Sequence, residues 1–420
     1  MVVVSAFAET AADTMVETAF TPSVAKVRDL VWAGRPDEAV RALRRVEEQG
    51  HDSGQAAEDW IAVCYPERIG APRVRSRGGT GFDVLCDLLA TRAAPEAVRE
   101  AQTVLGSCPM TTDALASLSG ALAALVYADR ADLAARWCRP LLEQTTAHCD
   151  PVWLGVFAAI RGETMLRQGD PAEAAECVRT ALTHIPWQDW GVAIGIPFGT
   201  MIAAKTALGM TEDVIRYLAV PVPDAMWETP AGLHYLAARA EFRLASGNAG
   251  EALGDFLACG KRMLRWGIDL PGVVAWRVGA GHARLALGEC AEAAVLAREQ
   301  LAACGGARTR AYGAALRLLA LAGDPDHRRT LLEEAYDVLR GAGDAREAER
   351  AKDDLGPARA AARSLLSDAE AKVAELAALG LSNRQISSRL YITVSTVEQH
   401  LTRIYRKLGA RRRSQLSEFL

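Results

Sequence analysis

Much of what this chain lacks bears on function. No G-x-x-x-x-G-K-[ST] segment occurs: the one Gly-Lys pair, Gly260-Lys261, is followed by Arg262 and has no upstream glycine, so no P-loop is expected. There is no HExxH, no GxSxG and no CxxC, and the seven histidines (51, 148, 184, 234, 282, 327 and 400) are isolated from one another. No catalytic constellation, cofactor site or metal site is therefore expected, and an enzyme is the weakest reading. Nine cysteines, scattered and odd in number, give no disulfide framework; buried reduced thiols are the expectation. No apolar run reaches the length of about 18 residues that reads as a membrane span. Met1 to Phe20 holds no Lys or Arg, unlike the basic start of a secretory signal. A cytoplasmic, nucleoid-associated location is expected, with no membrane partner. Aromatics make up only 6% of the chain, and lysine is scarce, six against 42 arginines.

What is present points to helix. Alanine is abundant and β-branched residues are sparse over 420 residues, enough chain for two or more domains. Charge is uneven. Residues 366–420 hold nine Lys/Arg and five Asp/Glu, a net of +4, whereas the remainder carries −8. A basic tail on an acidic body suits a phosphate-meeting module joined to one that meets none.

The body repeats a turn. "LVWAGRPDEAV" sets Gly34 before Glu38 and Ala39; "MLRQGDPAEAA" sets Gly169 before Glu173 and Ala174. "ASGNAGEAL" and "LALGECAEAA" do the same with Gly247 and Ala252 and with Gly288 and Ala293. From position 129 the turns fall at 129, 169, 209, 247, 288 and 323, a spacing of 35 to 41 residues. That period marks a helical-hairpin array. Glycine ends one helix in a left-handed conformation, an acid opens the next where the dipole favours it, and the following alanine lets the helices approach. In the best copy Gly162, Gly169, Ala174, Ala181 and Pro186 resemble the small, turn, small, small and Pro positions of the tetratricopeptide repeat (TPR). Residues 66–82, with Pro, Gly and four Arg, read as a long inter-helix loop or, more sharply, a basic contact loop.

Near the carboxyl end the signals are denser. Ser367 with Glu370 forms one capping box and Ser382 with Gln385 another, separated by the stop at Gly380. A tight turn through Tyr391 and Ile392 leads to Thr393 as N-cap of a third helix. Its apolar positions are Val397, Leu401, Ile404 and Leu408; its other face shows Ser395, Thr396, Glu398, Gln399, Thr402, Arg403 and Arg406. A short helix, a tight turn and a longer helix with a polar face is the helix-turn-helix arrangement.

"GLSNRQIS", "TVEQHL" and "KLG" resemble the LuxR (GerE-type) DNA-binding module across its length. The resemblance implies that the helix beginning near Thr393 reads DNA, with Glu398, Gln399, Thr402 and Arg403 facing bases. It further implies Asn383, Ser395, Thr396, Arg406, Lys407 and Arg411 at phosphate-contacting or helix-supporting positions, and a final dimerising helix over 412–420. Glu398 stands where Lys is common, and Ala369 and Lys372 replace a frequent Arg and Glu. His400 reads as a packing and hydrogen-bonding residue, while Arg411 to Arg413 could be either a solvated run or phosphate contacts. Repeats before such a tail resemble the C-terminal half of the large ATP-binding, MalT-like LuxR regulators, here without their nucleotide-binding domain.

The expected fold is all-α: an extension over 1–22, a TPR-like array over 23–355, a linker over 356–365 with a helix break near Gly356-Pro357, and a small four-helix LuxR-type domain over 366–420. The expected partners are double-stranded DNA, a second copy in a homodimer, and a protein or small-molecule effector held by the repeats. The alternative is an interaction scaffold whose tail serves dimerisation or docking without base readout.

Overall fold

The computed structural model describes residues 22–48, 54–72, 79–111, 114–148, 150–323, 325–408, 410 and 416. They form helices and turns, with no strand among the described residues. The first part comprises α1 (Pro22–Trp32), α2 (Pro36–Glu48), α3 (Gly54–Cys64), the one-turn α4 (Pro66–Ile69), α5 (Gly81–Thr91) and α6 (Ala94–Ser107). Hairpins then succeed one another: α7 (Ala114–Tyr127) with α8 (Ala131–His148), and α9 (Pro151–Arg167) with α10 (Pro171–His184). Next come α11 (Gly195–Ala207) with α12 (Thr211–Leu218), and α13 (Pro230–Ala245) with α14 (Ala249–Trp266). The series ends with α15 (Trp276–Ala286) and α16 (Cys290–Ala303), then α17 (Arg310–Ala322), α18 (Pro325–Gly341) and α19 (Ala345–Ser364).

The repeated turn is one hydrogen-bonded device. At Gly169 (φ +84°) the amide donates to Leu166 O at 3.1 Å, and the next amide, of Asp170, donates to Met165 O at 3.0 Å. This pair of reversed bonds satisfies two carbonyls left open at the helix end and needs a left-handed residue at its centre. Gly34, Gly209, Gly247, Gly288 and Asp129 repeat it, and so does Gly343 between α18 and α19, which the repeat spacing did not pick out. Gly323 departs, with an extended backbone at φ −97° and ψ −166°. The alanines that follow the turns, Ala39, Ala174, Ala252 and Ala293, are all fully buried, as their small volume suggested. Gly162 is there for the same reason: a Cβ would stand 2.8 Å from Val178 Cγ2.

The array also folds back on itself. The α7–α8 and α9–α10 turns rest on the starts of α17 and α19, five hairpins later. Arg167, at the end of α9, donates its Nη1 to Val126 O at 3.0 Å and to Gly272 O at 2.7 Å, while its Nε pairs with Glu163 at 2.7 Å. Asp129 accepts from the Ala311 amide at 3.1 Å, and Ala345 N donates to Gln168 O at 3.2 Å. Earlier, Arg68 meets Glu228 at 2.7 Å and Arg265 meets Glu67 at 2.7 Å. A simple solenoid touches only its neighbours in sequence; here successive wraps are bolted together.

Three expectations need correction or narrowing. Pro66–Ile69 is helical, and Thr80 caps α5, so the 66–82 segment is shorter as a loop than the sequence suggested; 73–78 lie outside the described residues. No break occurs at Gly356-Pro357, since α19 runs through to Ser364. Proline lacks one donor, but its fixed φ is itself helical, and the flanking alanines favour continuation. The cysteines are free among the described residues, and burial pushes Cys138 and Cys259 up to about 12, but Cys290 is exposed.

The C-terminal unit has its own core, built from α20 (Asp368–Ala378), α21 (Asn383–Leu390) and α22 (Val394–Leu408). Both predicted capping boxes are formed. Val373, Ala377, Ile386, Val397, Leu401, Ile404 and Leu408 are buried together, joined by Leu416, the one described residue of the expected 412–420 helix. The Nζ of Lys407 on α22 lies 2.6 Å from Glu370 Oε2 at the start of α20, clamping the two ends.

Two predictions follow from these contacts. Arg167→Met strands the buried Glu163 carboxylate and two carbonyls, and should cost about 3–5 kcal/mol in urea denaturation. Gly272→Ala, whose Cβ would stand 1.9 Å from Tyr127 O, should also lower the midpoint; unchanged midpoints in both would mean the wraps are not coupled. The Lys407 ammonium and the Ser367 amide hold the Glu370 carboxyl down at about 2. Because the folded-state value lies below the unfolded one, about 4.3, the clamp is fully present above that pH and is lost as pH falls toward 2. Tyr405 fluorescence or NMR of the C-terminal unit should show this acid loss in the wild type and its absence in Glu370→Gln, which keeps the capping box.

Candidate nucleic-acid interface

The site is a helix face, and its orientation is set by local chemistry. Ser382 caps α21, whose end is turned by Tyr391 in the left-handed region at φ +55°. Two residues on, Thr393 Oγ1 accepts from the Thr396 amide at 3.1 Å and lies 2.8 Å from Thr396 Oγ1. The chain therefore stops, reverses and restarts within Tyr391 to Thr393. Val397, Leu401, Ile404 and Leu408 then bury one side of the 15-residue α22.

Burying that stripe decides where the rest points. At about 100° per residue, Glu398, Gln399, Thr402, Arg403 and Arg406 share one arc of roughly 140° opposite the core. All five are exposed. Among the described residues, the side chains of Glu398, Gln399, Arg403 and Arg406 have no hydrogen-bond or ion-pair partner in the chain. Thr402 differs: its hydroxyl donates to Glu398 O at 2.9 Å, leaving its methyl and its oxygen lone pairs outward. The sequence-expected base-facing set is thus assembled on a single free surface.

The other expected contacts divide. Ser395 is exposed in the first turn, where helix amides are open toward anions. Thr396 is half-buried and spends its hydroxyl on the Thr393 cap. Asn383 is half-buried at the start of α21. Lys407 sits at the flank of the arc, and its ammonium is taken by Glu370. Helix-end support is what this geometry assigns to it. Arg411, with Arg412 and Arg413, lies outside the described residues. His400 packs at the stripe's edge, but its buried Nδ1 finds no hydrogen-bond partner among the described residues.

Two residues beside this face were not singled out from the sequence as contacts. Arg384 is exposed on the first turn of α21, and Tyr391 is 95% exposed at the helix-turn-helix corner. A tyrosine in the left-handed region is uncommon, since the Cβ crowds the backbone there. The sequence offered the turn but not the exposure.

Comparison with known proteins identifies a family for the C-terminal segment. Residues 364–420 match the family described as bacterial regulatory proteins, luxR family (GerE). No curated protein matches the chain. Among solved structures, the chain is similar to one in the crystal structure of the APC/C hetero-tetramer Cut9-Hcn1, at 11% identity and a TM-score of 0.52, with 80% of this chain and 62% of that chain covered. The likeness is one of fold, and this chain spans less than two thirds of that neighbour's length. The TPR domain of P58(IPK) also aligns, at 15% identity over 80% of this chain and 88% of that one, with a TM-score of only 0.22 that supports no structural argument. The carboxyl-terminal residues 364–420 are a LuxR-family helix-turn-helix domain, carried behind a helical array of TPR-like fold.

Proposed function

We propose that this protein is a sequence-specific transcriptional regulator whose α22 enters the major groove of double-stranded DNA. The observation that carries the reading is the free outward face of α22. Four long polar side chains stand exposed there without partners among the described residues, on a helix whose opposite side is buried in a core. The major groove is where donors and acceptors distinguish all four base pairs.

Roles follow from chemistry. Gln399 is suited to a bidentate contact with adenine, and Arg403 to guanine. Thr402, its hydroxyl proton already used, presents a methyl that fits a thymine methyl. Glu398 can accept from a cytosine amino group, and it disfavours approach to phosphate, so it should narrow the sites accepted. Ser395, Arg406, Asn383 and the Arg411 segment are assigned to phosphate, which positions the helix without reading sequence. Binding as a dimer to paired half-sites completes the reading, as does an effector or partner received by the helical array.

Selection of bound sites from random DNA by the purified full chain tests it. At physiological salt the cognate site should be preferred over random DNA by at least about a thousandfold; a chain with no preference would instead be an interaction scaffold. Gln399→Ala should relax specificity at one base position, costing about 1–3 kcal/mol there. If it weakened all sequences equally, the helix would be docked in another orientation. Arg406→Ala should weaken every sequence and reduce the salt slope by about one unit.

A further inference from the structure

Helix α14 buries one side in the array and leaves the other without a partner. Ala252, Phe256, Cys259, Met263 and Trp266 form the buried side. On the opposite side Gly247, in the turn before the helix, is followed by Gly250, Gly254, Leu257, Lys261 and Leu264, all of them exposed. Their steps of three, four, three, four and three residues are the spacing of a coiled-coil seam. Leu257 is 40% exposed and Leu264 55%. Lys261 has no hydrogen-bond or ion-pair partner among the described residues.

Nothing among the described residues calls for two of these glycines. Gly247 makes the left-handed turn at φ +83°. Gly250 and Gly254 lie within the helix, and a Cβ on either would meet nothing within 4 Å. Glycine weakens a helix relative to alanine, so the array by itself would be better served by alanine at both positions.

The stripe is small in its first half and long in its second, and turned end for end the two halves mate. With a two-fold axis between positions 255 and 256, Leu257 falls on Gly254 of a second copy, Lys261 on Gly250 and Leu264 on Gly247. The same three contacts recur across the axis, as an isologous pair requires. Charge matches as well. Glu251, its side chain 64% exposed and 3.2 Å from Arg243, adjoins Gly250, where the second copy's Lys261 ammonium arrives. A parallel pair would instead set Lys261 against Lys261 and Glu251 against Glu251, and would lose the opposed helix dipoles.

We infer that α14 is a self-association face, pairing antiparallel with α14 of a second copy of this chain. One helix pair lies at the small end of interfaces, below about 1,200 Å² in total, so the dimer is weak and reversible by itself. Two C-terminal units held on paired half-sites raise the effective concentration and reinforce it. The inference rests on the dimer reading above and gives it a surface in the array, separate from the 412–420 segment.

Sedimentation velocity of the full chain without DNA, across micromolar concentrations, tests it. The wild type should pass from monomer to dimer. Leu257→Glu and Gly254→Leu should each weaken association at least about tenfold. Ile215→Glu, an equally exposed change on α12, should leave association unaltered. Gly254→Leu should melt higher than the wild type while associating less, because leucine is the better helix former. Combining Gly254→Leu with Leu257→Gly exchanges knob and notch and should restore the dimer. A monomer at every concentration overturns the inference. So does a dimer indifferent to both single changes, one lost equally in Ile215→Glu, or a double variant as weak as Gly254→Leu alone. Site selection from random DNA is read separately: a chain that selects a site yet dimerises unchanged in Leu257→Glu loses this interface alone, and the DNA reading stands.

Discussion

Arg167 ties distant wraps of this architecture together. Its guanidinium reaches the carbonyls of Val126 and Gly272, residues on different wraps of the array, while Glu163 balances its charge in a nearly dry setting. A planar fork of donors can make three such bonds at once, where a lysine could not fix the geometry. Around it, Asp129 receives the Ala311 amide in the first turn of α17, and the Gly169 turn abuts the start of α19. These contacts tie a ladder of hairpins together across its wraps, with a pocket open to solvent between them.

The same turn chemistry serves two purposes. Between paired helices it reverses the chain cheaply, with the following alanine buried against the preceding helix. At Gly169 the turn is also a docking surface: a Cβ there would stand 2.5 Å from the Arg346 amide. That contact helps set Arg346 on the wall of the pocket. Two distant parts of the scaffold are thus joined at one glycine, by a backbone approach no other residue permits.

The C-terminal unit is built on a separate principle. Its core is small, and its stability rests on caps and on the Glu370–Lys407 clamp as well as on apolar burial. Capping is local chemistry, readable from four-residue spacing, which is why the helix boundaries here were legible in detail. Lys407 was different. Its place in the motif suggested phosphate or helix support, and only the packing of α22 on α20 brought Glu370 within 2.6 Å of it. Thr402 likewise read as an available hydroxyl, whereas a bond back to its own helix leaves mainly the methyl for a partner.

Local and periodic features were therefore determined by the sequence alone: the helical class, the repeat spacing, the turns, both capping boxes, and the stripe of α22 that sends Gln399 and Arg403 outward. Each depends on residues within one or two helical turns, where propensity and amphipathic pattern act directly. The break at Gly356-Pro357 was misjudged because proline's rule is a tendency that strong flanking helix formers override. Only the tertiary structure decided the rest. Arg167 and Gly272 carry no mark in the sequence, being single residues far apart along the chain. Their meaning arises when the wraps close, and closure is a sum of long-range contacts that no local pattern encodes.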